Sequence, residues 1–183
     1  MASAFTHAFF AAAVGKVYAS GPQPARFWLL SMLCAVLPDA DVAGFAFGVP
    51  YGSMFGHRGL THSLAFALLL ACLTVALFFR GAANRKTLVL YFFLVTASHG
   101  ALDAMTNGGL GVAFFAPFSA ARYFFPFRPV VVSPIGLSAF FSDWGLAVVE
   151  SELLWVWLPA SLAVGLVLIL RLWARDKAGT RGV

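Results

Sequence analysis

LPDADVAGFAFGVPYGSMFGHRGLTHS, running from Leu37 to Ser63, is a polar island in a chain that is otherwise mostly hydrocarbon. It carries Asp39, Asp41, His57 and His62, all metal-competent, flanked by Pro38, Gly56 and Gly59. Proline bends the backbone and glycine lets it approach a ligand closely. One ionisable group inside a bilayer costs roughly 2.5–3.5 kcal/mol on insertion scales, so several together call for a compensating partner, most economically a bound cation.

The rest of the chain makes the bilayer the relevant solvent. Of 183 residues 61% are hydrophobic and 10% charged, against about 25% charged in soluble domains. The composition is that of an integral membrane protein. No linker or charge run divides it, so residues 1–175 read as one domain followed by a short basic tail, 176–183. Cys34 and Cys72 stand alone in apolar runs, which fits neither a disulfide framework nor a thiolate metal site; both read as buried thiols. A net charge of +5 raises the question of nucleic acid. The basic residues form no groove-binding patch, however, and are sorted by membrane side instead.

In chain order, Ala2 to Tyr18 is a short apolar helix with no basic region ahead of it, unlike a signal peptide. Phe27 to Leu37 is a second helix that Pro38 ends or kinks. Leu64 to Phe79 is a third, capped by Thr61 or Ser63, and Leu88 to Met105 a fourth. Thr106 to Trp144 is rich in Gly, Pro and Phe and suits a re-entrant or interfacial segment. A last helix runs from Leu153 to Leu172. The expected fold is therefore all-α, a polytopic bundle of four to five transmembrane helices with an aromatic interfacial segment.

Counting charges threads this bundle through the membrane. With the Arg80–Lys86 loop cytoplasmic, alternation puts Lys16, Arg26, Arg171, Arg175, Lys177 and Arg181 on the same side, so nine of the twelve basic residues obey the positive-inside rule. The same threading brings all four histidines (His7, His57, His62, His99) and six of the seven acids to the outer, periplasmic end, with the C-terminus cytoplasmic.

His99 and Asp103, four apart, share a helical face and can grip one ion between adjacent turns. Imidazole and carboxylate are the usual zinc ligands where thiolates are absent. Asp39 and Asp41 sit at a helix break, and two carboxylates so close repel unless a cation joins them. Arg58 is either a clamp on an anionic substrate or a partner to a carboxylate, since both uses exploit the same planar fork. Glu150 and Glu152 suit a ligand, a general base or the outer cap of the last helix.

His7, the LPDAD of Leu37–Asp41, the GHRGLTHS of Gly56–Ser63, the SHGALDAMTNGG of Ser98–Gly109 and the RYFFPFRP of Arg122–Pro129 together resemble the YdjM-like family of bacterial membrane-bound proteins, described as LexA-regulated, predicted metal-dependent hydrolases. That family is distantly similar to zinc-dependent phospholipase C, where an N-terminal histidine, an aspartate, further histidines and an HxxxD pair hold a zinc cluster. The resemblance implies His7, Asp39, His62, His99 and Asp103 as ligands, with Asp41 and His57 completing the candidate set. This chain has fewer histidines than the soluble enzymes, so one or two Zn2+ ions fit better than three.

The expectation is an inner-membrane metal-dependent hydrolase acting on a phosphoester or related ester of a lipid or lipid-linked substrate. Metal-activated water would attack, Asp41 or Glu152 would take the proton, and Arg58, Arg122 or Arg128 would hold the anionic group. The alternative is a non-enzymatic metal-binding scaffold or ion-handling protein.

Overall fold

A computed structural model describes residues 1–179. Seven α-helices carry the fold: α1 Ala4–Tyr18, α2 Ala25–Val36, α3 Leu64–Phe78, α4 Arg85–Ala104, the short α5 Leu137–Phe140, α6 Asp143–Glu152 and α7 Leu158–Gly179. No strand forms among the described residues; Thr106 pairs with Val130 and Val112 with Tyr123 only as isolated bridges.

Among the described residues three helical segments are long and apolar enough to cross a membrane: Ala25–Phe47, Arg85–Ala104 and Asp143–Lys177. At about 1.5 Å per residue, the twenty residues of α4 match a hydrocarbon layer of roughly 30 Å. The apolar α3 and α1, at 15 residues each, are shorter. Helix α7 leaves Leu162 65%, Ile169 63% and Leu172 64% exposed. A continuous apolar face of that kind suits contact with lipid rather than water.

The second helix is α-helical only to Val36, the end expected from Pro38, but the chain does not leave the helical path. Pro38 sits in the first turn of a 3-10 helix, Leu37–Phe47, that continues α2 directly. Asp39 and Asp41 therefore ride on a tightened helical turn. Ser63 caps α3 as expected, accepting the Phe66 N–H at 3.1 Å. The expected last helix begins earlier: α6 passes through a π-helical turn, Leu153–Trp157, into α7. The tail expected over 176–183 is helical as far as Gly179, and 180–183, with Arg181, lie outside the described residues. Cys34 is buried, but Cys72 is exposed, which corrects its reading as a buried thiol.

Two features at the cluster end of the bundle position the site. In the 48–63 loop a side chain at Gly56 or Gly59 would lie 2.1 or 2.2 Å from the carbonyl oxygens of Pro50 and Met54, so only glycine closes these turns. Between them Arg58 adopts φ +62°, a left-handed conformation that costs a bulky residue about 1–3 kcal/mol and needs strong compensation. The aromatic segment then packs over this loop. Ala113 N–H donates to the Arg58 carbonyl, Leu64 N–H to that of Phe114, and Phe125 N–H to that of Ala104.

Candidate metal centre

The candidate ligands converge from separate elements. Asp39 and Asp41 come from the 3-10 helix after α2, His62 from the turn before α3, His99 and Asp103 from one face of α4, and His7 from α1. Asp39, His62, His99 and Asp103 are all buried, and each brings one ligand atom to within 4.8 Å of the others. Asp41, His57 and His62 form a second such group that shares His62.

Hydrogen bonds fix which nitrogens face inward. His99 Nδ1 lies 2.7 Å from the Ala35 carbonyl, which can only accept, so Nδ1 carries the hydrogen and Nε2 presents a lone pair. The Thr61 hydroxyl donates to Asp41 Oδ2 at 2.7 Å, which leaves its oxygen to accept from His62 Nδ1 at 3.0 Å. That again turns Nε2 toward the cluster. His62 Nε2 and His99 Nε2 are 3.0 Å apart, Asp39 Oδ1 is 3.5 and 3.3 Å from them, and Asp103 Oδ2 is 3.6 Å from His62 Nε2. Tetrahedral zinc with bonds of about 2.0–2.1 Å spaces its ligand atoms roughly 3.3–3.4 Å apart.

The unsatisfied atoms fall in the same place. Buried side-chain atoms without a hydrogen-bond partner include both oxygens of Asp39, both ring nitrogens of His7 and His57 Nε2. Buried polar atoms are almost always paired, so this concentration asks for a group that accepts several lone pairs at once. A divalent cation is such a group. Burial works against charge on His62, yet the carboxylates of Asp103, Asp39 and Asp41 outweigh it and push its pKa up to about 10. The cluster demands positive charge at this point.

His7 borders the four-residue group. Its ring stacks on His99 with centroids 3.7 Å apart, and its Nε2 lies 3.5 Å from Asp103 Oδ1. Asp41 is better placed to orient than to ligate, because it holds His57 Nδ1 at 2.8 Å and faces His62 Nδ1 at 3.3 Å.

Of the arginines expected to grip substrate, Arg58 is turned inward, which corrects its assignment, while Arg122 is half-buried on internal acceptors and Arg128 is exposed. Arg58 is fully buried and donates to Asp103 Oδ2 at 3.1 Å, to the Gly108 and Leu110 carbonyls at 3.0 and 2.8 Å, and to the Thr106 hydroxyl at 2.8 Å. It is the carboxylate partner. Arg122 ties the loop together through the carbonyls of Tyr51, Ser53, His57 and Gly111. Arg128 lies over the Phe124 ring, 4.7 Å from its centroid.

Glu152 is also corrected. It neither caps a helix nor joins the cluster, but lies buried at the end of α6, accepting the Ser3 N–H, the Ser3 hydroxyl at 2.6 Å and the Thr6 hydroxyl at 2.8 Å. Trp157, one π-helical turn on, donates to Thr6 Oγ1 at 2.7 Å. The carboxylate latches α1 to α6. Glu152→Ala strands three buried donors and should destabilise the protein by about 1–3 kcal/mol, seen as earlier thermal unfolding in detergent with bound metal unchanged. Metal loss in that variant at full stability would return Glu152 to the site.

Sequence reasoning missed the Ala35 carbonyl and Thr61, the groups that set the two tautomers. A carbonyl leaves no signal in a sequence; Thr61, beside His62 in the same turn, did.

The family of this architecture can now be given. A family model described as YdjM inner membrane protein matches residues 1–176. The chain belongs to the YdjM inner membrane protein family. It is 41% identical over 170 residues, 91% of this chain and 97% of its relative, to the inner membrane protein YbcI of Escherichia coli (strain K12). No solved structure matches it. Family and apolar helices together place it in the inner membrane.

Proposed function

We propose that this YdjM family member is a metal-dependent hydrolase of the inner membrane, its cluster facing the periplasm and its C-terminus the cytoplasm, acting on a phosphoester or related ester of a lipid or lipid-linked substrate. The observation that carries the reading is the meeting of two imidazole Nε2 atoms with an unpaired buried carboxylate, at separations suited to one zinc ion. Asp39, His62, His99 and Asp103 would hold the ion. A bound Zn2+ supplies Lewis acidity and brings the pKa of water toward 7.

The chain's own residues supply the proton chemistry. Asp41 fixes His57 through Nδ1, leaving His57 Nε2 buried and unpartnered, the arrangement of an oriented general base. His57 accepts the proton and Asp41 stabilises the imidazolium that results.

A second reading, a metal-binding scaffold without catalysis, is favoured by the arginines: Arg58 and Arg122 spend their donors on internal acceptors. Metal analysis of detergent-purified protein, followed by a screen of phospholipids and phosphoesters, separates the two. In the hydrolase, His57→Gln keeps the metal and loses roughly 10²-fold or more in turnover. Bound metal with no hydrolysis of any ester selects the scaffold, and absence of metal sinks both.

A further inference from the structure

At the other end of the bundle, α1 and α7 part around a cavity of about 550 Å³ lined by Lys16, Trp28, Arg171, Arg175 and the loop at 19–23. It continues into an apolar groove of about 570 Å³ between the same helices, with Lys16, Trp28 and Leu168 lining both. Each volume lies within the roughly 300–1,000 Å³ of ordinary ligand sites. Ala12, Ala13 and Lys16 line the groove from α1, and Val164, Gly165 and Leu168 from α7. Spacings of three and four residues keep each set on one helical face. Small side chains leave the channel open: a Cβ built on Gly165 meets nothing within 4 Å.

Charge is confined to one end. Lys16, Arg171 and Arg175 line the mouth and no acid does. Arg171 donates to the carbonyls of Lys16 (3.2 Å), Ala19 (2.7 Å) and Val17, capping α1, and Arg175 to that of Ser20 (3.4 Å). Lys16 Nζ sits 5.8 Å from the Trp28 ring centroid. From Ser161 at the apolar end to Arg175 at the mouth the path is roughly 21 Å along α7, at 1.5 Å per residue.

We infer that this groove and its mouth bind one anionic phospholipid, an acyl chain lying between α1 and α7 and the phosphate among Lys16, Arg171 and Arg175. Basic pockets between membrane helices recognise anionic headgroups in this way, and the apolar channel distinguishes a lipid from a free anion. The site is separate from the His/Asp cluster and does not depend on metal.

Native mass spectrometry of the delipidated full-length protein in neutral detergent tests it, with phosphatidylglycerol, phosphatidylcholine of the same chains, and inorganic phosphate as probes. The first phosphatidylglycerol should bind at least about tenfold more tightly than phosphatidylcholine. In a Lys16→Gln, Arg175→Gln variant that preference should vanish; Arg171 is left in place because it caps α1. Gly165→Leu, which fills the channel, should weaken both lipids by about fivefold or more while keeping the preference. Ser161→Leu serves as a second filler should the first unfold. Equal binding of the two lipids by the parent, a preference that survives the double substitution, or phosphate bound as tightly as phosphatidylglycerol would overturn the lipid site.

Discussion

Arg58→Met destabilises the protein by about 3–5 kcal/mol, the cost of leaving one partner of a buried ion pair alone. The guanidinium serves Asp103 Oδ2, two carbonyls and the Thr106 hydroxyl from a fully buried position, so methionine takes its donor away from all four acceptors. Arg58→Lys is little better, because one ammonium on a flexible stem cannot span acceptors set out for a planar fork. Thermal unfolding of detergent-purified protein, followed by intrinsic fluorescence, measures the loss. A substrate clamp behaves in the opposite way, with stability kept and turnover lost; a melting temperature within about 1 °C of the parent's would restore that role.

Asp39→Asn costs more with metal than without. Neither carboxylate oxygen has a hydrogen-bond partner, yet Oδ1 lies 3.5 and 3.3 Å from the Nε2 atoms of His62 and His99, so in cation-free protein the substitution exchanges an unsatisfied buried charge for the loss of a carboxylate facing the His62 imidazolium, a small net change. Zinc opens the gap. A ligand present at about 100–1,000 times its Kd adds roughly 2.7–4.1 kcal/mol to the parent, and the variant, lacking one ligand, gains little. Paired melts with chelator and with Zn2+, and metal content on the same samples, give the answer. An equal gain from zinc in both proteins would remove Asp39 from the ligand set.

Much of this was legible because the signals were local. Composition placed the chain in the membrane, Ser63 announced the start of α3, and the spacing of His99 and Asp103 put both on the face of α4 that meets the cluster. What escaped was direction. Arg58 lies beside His57 in the sequence, but φ +62° swings its side chain into the protein. Glu152 looked like a helix cap because nothing in Leu153–Trp157 advertises that a π-helical turn carries α6 on into α7. Pro38 announced the end of α2 at Val36 but not the 3-10 helix that carries the chain on to Phe47.

The interleaved origin of the ligands bears on how the protein is made. Asp39 leaves the ribosome with α2, His62 ahead of α3, and His99 and Asp103 only at the far end of α4. His57 and His62 can join Asp39 early, but the four-residue group is complete only once His99 and Asp103 have been delivered. Asp39 lies within the apolar segment Ala25–Phe47, so its carboxylate gains its full set of neighbours only when α4, the last helix of the cluster, is in place. A chain halted before residue 99 would leave that buried charge without the His99 imidazole.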